Sequence, residues 1–157
     1  MWRRALAALL WFAAVASAPA ATDPRDALKL SQAAIGREVP DVRFTDSEGR
    51  TLRVSDLRGK PLVVSFIYTG CFQACPVATQ FLSQAVGTAR RALGEGKFNV
   101  VSIGFNQPFD NPMAMAAFAR QNRISDPNWR FLTPDAGSLE ALTTALGFVY
   151  EATPKGF

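Results

Sequence analysis

LVVSFIYTGCFQACP, at residues 62–76, is the stretch that decides the fold of this chain. Residues 62–68 form a continuous apolar, β-branched run, which predicts a strand buried on both faces and therefore central in a parallel sheet. Cys71 and Cys75, the only cysteines in the chain, follow at once. Pro76 suits the first turn of a helix, because its missing N–H would be unpaired there anyway. The stretch therefore predicts a strand, a thiol pair and a helix start in immediate succession.

The segments on either side of this stretch predict further strands and helices in alternation. Residues 42–54 alternate apolar and polar side chains around a turn, as a small hairpin does. Further strands are predicted at 98–105 and 129–132, and helices at about 75–93, 112–122 and 136–146. The first of these helices has an apolar stripe made of Val77, Phe81, Leu82, Ala85, Val86 and Ala89. Alternating strands and helices predict an α/β sandwich with parallel central strands.

The N-terminal segment has the features of an export signal. Arg3 and Arg4 precede an apolar run, and small residues up to Ala20 suit cleavage. An uncleaved anchor is the alternative, although the run is shorter than the roughly 20 residues of a spanning helix. Both interpretations predict an extracytoplasmic protein that is periplasmic, secreted or anchored to the inner membrane. We expect a signal peptide or anchor at 1–20, a linker with modest helical tendency at 21–38 and one domain at 39–157.

Composition is that of an ordinary globular domain. Of the 157 residues, 48% are hydrophobic, and the formal net charge is +4. Apart from the pairs Arg3-Arg4 and Arg90-Arg91, the basic residues are scattered singly, so they form neither the stripe that binds nucleic acid nor a polybasic membrane patch. The sequence therefore predicts no nucleic-acid partner, and membrane attachment only through the N-terminal segment.

The placement of Cys71 and Cys75 at a helix start leaves three chemistries open. The positive end of the helix dipole stabilises a thiolate and makes it a better nucleophile and a better metal ligand. In thiol–disulfide exchange, Cys71 would attack and Cys75 would resolve. Three intervening residues give more room for a metal than the two-residue redox spacing, and thiolates select Cu(I) or Zn, two cysteines being too few for an iron–sulfur cluster. A structural disulfide is third, because so short a loop constrains little chain entropy.

Several motifs together resemble the SCO (SenC-type) family of extracytoplasmic, thioredoxin-like proteins. These are Gly59-Lys60-Pro61, Tyr68-Thr69-Gly70-Cys71, Cys75-Pro76 and Asp110-Asn111-Pro112, the last being similar to the family's aspartate-threonine-proline segment. Family members bind copper and assist assembly of the dinuclear copper site of cytochrome c oxidase. The resemblance extends over about residues 39–157. It implies a thioredoxin-like, three-layer sandwich with a central sheet.

The same resemblance implies a function and a site. Cys71 and Cys75 would be copper ligands and a redox pair, with Cu(I) favoured. The protein would be a metallochaperone rather than an enzyme. Its partner would be the copper-site subunit of cytochrome c oxidase or another copper or thiol protein. An extracytoplasmic thiol–disulfide oxidoreductase is the alternative function, and a structural, disulfide-stapled domain is a third.

The chain also departs from the family pattern. Phe72 stands where the family commonly has proline, and Gly104-Phe105 where it has aspartate-proline. Family members carry a histidine as third copper ligand, shortly after a stretch like residues 147–150, whereas this chain has no histidine. A thioredoxin-like sheet also continues with an antiparallel hairpin and a closing helix. We therefore expect residues 1–157 to be a C-terminally shortened form that lacks the third ligand, the hairpin and the helix.

Three further residues are candidates for a place near the pair. Met113 and Met115 could offer thioether sulfur to Cu(I). Core packing is the preferred interpretation, because residues two apart do not share a helix face and methionine commonly fills core gaps. Asp110 precedes the predicted third helix, and we expect it to cap that helix rather than to lie at the copper site.

Overall fold

The computed structural model describes residues 23–151. The predicted signal peptide or anchor at 1–20 lies outside the described residues. No helix within 23–151 has the length and apolar character needed to cross a membrane. The elements in chain order are α1 (Pro24–Ala33), β1 (Arg43–Asp46), β2 (Thr51–Arg53), a 3-10 helix (Val54–Leu57), β3 (Leu62–Ile67), α2 (Ala74–Leu93), β4 (Asn99–Gly104), α3 (Pro112–Gln121), β5 (Trp129–Pro134) and α4 (Ala136–Leu146).

The five strands form one mixed sheet in the order β2-β1-β5-β4-β3. Strands β3, β4 and β5 are parallel, with Leu62 opposite Asn99 and Val100 opposite Trp129. Strand β1 is antiparallel to both β2 and β5. The predicted hairpin and the parallel central strands are therefore confirmed. Because β3, β4 and β5 are parallel, their carboxyl ends lie at the same end of the sheet. The connections from β3 to β4 and from β4 to β5 run through helices, as parallel pairing requires.

Alternating strand residues pack into two cores, one on each face of the sheet. On β4, Val101 and Ile103 face one core, which is completed by Leu142 of α4. Val100 faces the other core, which contains residues of α2 and α3, among them Val86 and Phe118. The period of two in a strand sends successive side chains to opposite faces, so helices are needed on both. The predicted three-layer α/β sandwich is thus confirmed.

Strand β3 does not lie where the sequence predicts it. It is the last strand of the sheet formed by residues 23–151, paired only with β4. Of its six residues, only Ile67 is buried and the other five are half-buried. A continuous apolar run predicts burial but does not identify the neighbours, so the prediction of a central strand is wrong for the described sheet.

Helix α2 rests on the sheet through only part of the predicted stripe. Thr79 and Val86 are buried, and Cys75 and Leu82 pack partly buried against the same core. Val77 and Phe81, which belong to the predicted stripe, are 55% and 67% exposed. The helix is therefore rotated so that the face with Cys75 points to the sheet, which holds this cysteine against the core.

Helix α1 lies within the segment predicted as a linker. It begins with Asp23, whose side chain accepts the Arg25 N–H. It contacts the end of α4 at Gly147, where an added Cβ would lie 2.5 Å from the Leu30 carbonyl oxygen. Gly147 has φ +64°, a conformation that favours glycine, and it ends α4. The turn after α4 is therefore fixed by both its backbone conformation and its contact with α1.

Candidate dithiol metal centre

Cys71 and Cys75 meet where the carboxyl end of β3 passes into α2. Cys71 lies in the connecting loop, and Cys75 is the second residue of the helix. The Cys75 N–H donates to Cys71 Sγ at 3.1 Å. Gln73, the N-cap residue, offers no side-chain cap, so the Cys71 sulfur takes the place of a capping oxygen. Both thiols are free and half-buried, which allows them to bind one ligand together.

The surroundings of Cys71 favour its thiolate form. Partial burial of this thiol by itself raises its pKa, because a charged group is less well solvated there. Hydrogen bonds from the backbone and side chain of Cys75, from the Gln73 N–H and from the Tyr68 side chain outweigh this effect and lower the pKa of Cys71. The unpaired N–H groups of a helix start act in the same direction. Of the two cysteines, Cys71 therefore has the larger thiolate fraction.

Cys75 has the opposite tendency. Burial against the core is the largest cause, and it raises the pKa of Cys75 to about 11. A hydrogen bond from the Tyr68 N–H works against this shift, whereas the neighbouring Cys71 and the negative charge of Asp110 add to it. The pair therefore consists of one thiol with a lowered pKa and one with a raised pKa, whose proton a bound metal would displace.

We expect alkylation by iodoacetamide to distinguish the two thiols through its pH dependence. The thiolate is the reactive form, so labelling of Cys71 should increase with pH through a pKa below that of an ordinary thiol, and labelling of Cys75 only near 11. The lowered pKa of Cys71 and the raised pKa of Cys75 give Cys71 the larger thiolate fraction near neutral pH, so Cys71 should be labelled faster although a more acidic thiolate is a weaker nucleophile. Peptide mass spectrometry measures both rates, and equal rates would contradict the assignment.

Asp110 is not the cap of α3, so the sequence expectation for this residue is wrong. The N-cap is Asn111, whose side chain accepts the Ala114 N–H at 3.0 Å. Pro112 at the first helical position is the signal that identifies it, because proline favours that position and makes the preceding residue the cap. Asp110 is instead completely buried near the dithiol. Its Oδ1 accepts the Thr69 N–H at 2.8 Å and the Thr69 hydroxyl at 2.7 Å.

Gly104 makes room for Asp110. A Cβ added at Gly104 would lie 2.5 Å from Asp110 Cβ and 2.9 Å from Met115 Sδ. Asp110 and Met115 are both completely buried, so a Cβ at this position would displace one of them. Glycine at the end of β4 is therefore a requirement of packing in this chain.

Five aromatic side chains form a cluster that includes Tyr68, a hydrogen-bond partner of Cys71. Phe105, which follows β4, contacts the rings of Tyr68, Phe148 and Tyr150 at centroid distances of 5.5, 5.3 and 4.9 Å. Phe148 also stacks on Phe66 of β3 at 4.2 Å. The segment that follows α4 therefore lies at the end of the sheet where the cysteines lie. This position was not evident from the sequence, because it depends on contacts about 80 residues apart.

The sulfur atoms of the two methionines do not join the site. Met115 is completely buried in the core between α3 and the sheet, as predicted. Met113 is 80% exposed, so the prediction of core packing is wrong for this residue. Among residues 23–151, no group of three or more histidine, cysteine, aspartate or glutamate side chains is arranged to hold a metal. The described chain thus offers a metal two soft sulfur ligands, a donor set that fits Cu(I).

Comparison with known proteins agrees with this architecture. The family model of SCO1/SenC matches residues 32–156. The SCO1 protein homolog of Bacillus subtilis (strain 168) is 26% identical over 97 residues, which are 61% of this chain and 49% of the relative. The chain therefore spans about half the length of the curated relative that it matches.

Solved structures show the same fold. ScoI of Bradyrhizobium japonicum, with copper bound, superimposes with a TM-score of 0.59 at 23% identity, covering 74% of this chain and 71% of that one. BsSco, a member of the Sco family of cytochrome c oxidase assembly proteins, superimposes with a TM-score of 0.66 at 22% identity, covering 77% and 70%. At these identities the likeness establishes the thioredoxin-like fold alone. Together with the match over residues 32–156, it shows that this chain belongs to the SCO1/SenC family.

Proposed function

We propose that this chain is a copper metallochaperone that binds Cu(I) through Cys71 and Cys75 and passes it to the copper site of cytochrome c oxidase. The observation that carries the proposal is the convergence of two free thiols at the start of α2, with the Cys75 N–H on Cys71 Sγ. Membership of the SCO1/SenC family and the copper bound to ScoI of Bradyrhizobium japonicum support copper as the metal.

The donor set favours Cu(I) over Cu(II). Thiolates are soft ligands and suit Cu(I), whereas imidazole suits Cu(II) among other metals. Two thiolates are available, and the sequence contains no histidine. The lowered pKa of Cys71 favours the first thiolate, and copper displaces the proton of Cys75 to create the second. Affinity for Cu(I) therefore increases with pH until both thiols are already ionised in the metal-free protein.

The same site suits delivery of copper. Cys71 is half-buried, and Phe72 beside it is 91% exposed, so a partner can approach the loop. A thiol or imidazole of the partner enters the copper coordination as one thiolate of this chain leaves, and the copper is transferred as cargo by ligand exchange. The copper-site subunit of cytochrome c oxidase is the proposed acceptor, since BsSco belongs to a family of oxidase assembly proteins. We place the domain outside the cytoplasm, held by the N-terminal segment or released by its cleavage.

Titration of the purified, reduced protein with each oxidation state of copper tests the proposal. We expect one equivalent of Cu(I) to bind tightly in competition with a chromophoric Cu(I) chelator, because both ligands are thiolates. Cu(II) should bind much more weakly under anaerobic conditions. Comparable, tight binding of both oxidation states would contradict the two-thiolate site, and absence of Cu(I) binding would contradict the proposed function itself.

A second candidate function is thiol–disulfide exchange, and the unequal pKa values of the pair favour it. The Cys71 thiolate attacks a partner's disulfide, and one partner sulfur leaves as a thiolate while a mixed disulfide forms. Cys75 then loses its proton and attacks Cys71 Sγ. The mixed disulfide breaks, the partner is released fully reduced, and a Cys71–Cys75 disulfide remains. Electrons thus pass from this dithiol to the partner. The two functions use the same residues and are separated by the cysteine variants discussed below.

A further inference from the structure

Asp110 is a buried, charged side chain that the proposed copper chemistry does not use. It is completely shielded from solvent. Its Oδ1 accepts two hydrogen bonds from Thr69, and its Oδ2 accepts the Asn106 N–H at 2.8 Å. Its carbonyl oxygen accepts the Thr133 hydroxyl at 2.8 Å. Asp110 therefore ties together the loops that follow β3 and β4 and the end of β5.

The contact with Thr69 reaches directly into the dithiol loop. Thr69 lies two residues before Cys71, and the Cys71 N–H donates to the Tyr68 carbonyl oxygen at 3.1 Å across the same turn. Both backbone and side chain of Thr69 are held by one oxygen atom of Asp110. Fixing Thr69 therefore fixes the turn that carries Cys71, while Cys75 is fixed separately by α2.

We propose that Asp110 is the positioning residue of the dithiol site: through Thr69 it holds Cys71 where its sulfur and that of Cys75 bind the same copper ion. This inference rests on the proposed copper function and deepens it. Residues that orient metal ligands from outside the coordination sphere commonly affect metal affinity by about 10–100-fold. Asp110 is also hydrogen-bonded to the loop after β4, through the Asn106 N–H. This bond links the position of the two sulfurs to the core of the domain.

Asp46 provides a matched control. It too is a buried carboxylate, and it also accepts two backbone N–H groups, those of Glu48 and Arg50, at 2.9 Å each. Its second oxygen pairs with the Arg50 side chain at 2.8 Å. It is the last residue of β1, and strands β5 and β4 separate it from β3. Removing Asp46 therefore disturbs the fold in a similar manner without a contact at the dithiol.

The experiment measures Cu(I) affinity and urea unfolding for the full chain and four variants. Asp110→Ala should lower Cu(I) affinity by about 10–100-fold. Asp110→Asn should recover most of this loss, because its amide oxygen still accepts both Thr69 hydrogen bonds, although the amide nitrogen then opposes the Asn106 N–H. Thr69→Val deletes one of the two hydrogen bonds at nearly constant volume and should give an intermediate loss. Asp46→Ala should shift unfolding to lower urea but leave Cu(I) affinity unchanged.

Each outcome supports or overturns the assignment. Loss of affinity in Asp110→Ala with rescue by Asp110→Asn supports positioning. Affinity that follows the unfolding midpoint across all variants, Asp46→Ala included, shows a purely structural role and overturns it. An Asp110→Asn variant as weak as Asp110→Ala assigns the effect to charge and overturns it as well. If Asp110→Ala does not fold, Thr69→Val decides: wild-type affinity overturns the proposal. If the unsubstituted chain does not bind Cu(I), the copper function fails instead.

Discussion

Cys71→Ser is expected to abolish tight Cu(I) binding while the domain stays folded. A serine hydroxyl is a hard donor that stays protonated near neutral pH, so one sulfur ligand remains. The loss should therefore exceed the roughly 10–100-fold that outer-shell changes cost. Cys71 is half-buried, and the serine oxygen can still accept the Cys75 N–H, so the start of α2 is preserved. Competition with a Cu(I) chelator measures the affinity, and circular dichroism measures the fold.

Two other variants act as controls for this result. Cys75→Ser should also abolish tight binding, since both sulfurs are required. Met113→Leu removes a sulfur that is 80% exposed and outside the pair, and it should bind Cu(I) like the unsubstituted chain. Tight Cu(I) binding by Cys71→Ser would show that the metal is held elsewhere and would contradict the dithiol site.

The same cysteine variants separate the three chemistries that the sequence left open. An oxidoreductase would lose insulin reduction in Cys71→Ser, whereas Cys75→Ser would accumulate a mixed disulfide because the resolving thiol is missing. A metallochaperone would show only background thiol exchange in all forms while losing copper. A purely structural bridge would lower stability under oxidising conditions and affect neither assay. Insulin turnover by the unsubstituted chain with no Cu(I) binding would favour the second candidate function.

The fold could be predicted from the sequence wherever local patterns decide it. The helix at Ala136–Leu146 has the predicted bounds, and α2 and α3 agree with prediction within one residue. Their ends are marked by caps and by Pro112 and Gly147, which act within a few residues of the boundary. The run at β3 is likewise a strand. Local periodicity is sufficient for elements of this kind.

The arrangement of these elements could be predicted less well, because it depends on distant neighbours. The position of β3 at one edge of the described sheet depends on which strands pair, and its apolar run is compatible with an edge or a centre. Val77 and Phe81 belong to the predicted apolar stripe of α2, but their side chains are exposed, because the local pattern does not identify what packs against the helix. Of the stripe predicted for α2, Leu82, Val86 and Ala89 pack against the core.

The two cysteines of the site could be predicted from the sequence, but the residues that hold Cys71 in position could not. Cys71 and Cys75 are four residues apart, so a helix start is enough to bring them together. The partners Thr69 and Asp110 are 41 residues apart and meet only because β3 and β4 are parallel neighbours. The fit of Gly104 against Asp110 is equally invisible until the sheet is formed.

Gly104→Ala is expected to destabilise the domain and weaken the dithiol site together. The new Cβ would lie 2.5 Å from Asp110 Cβ and 2.9 Å from Met115 Sδ, closer than van der Waals contact allows. Overpacking of this kind costs about 1–3 kcal/mol of folding free energy. The strain is relieved most readily by a shift of Asp110, which would release Thr69 and lower Cu(I) affinity by about 10–100-fold.

Urea unfolding and Cu(I) competition on the same samples measure both effects of Gly104→Ala. Gly87→Ala is the matched control, since its Cβ would meet only the flexible Arg91 side chain at 3.6 Å within α2. That variant should be more stable by about 0.5–1 kcal/mol, because alanine favours the helix, with copper affinity unchanged. If Gly104→Ala were as stable as the unsubstituted chain and bound Cu(I) equally well, the packing of Asp110 against the end of β4 would not constrain the site. A loss of stability with full copper affinity would show that the strain is absorbed by Met115, on the side of the sheet that α3 covers.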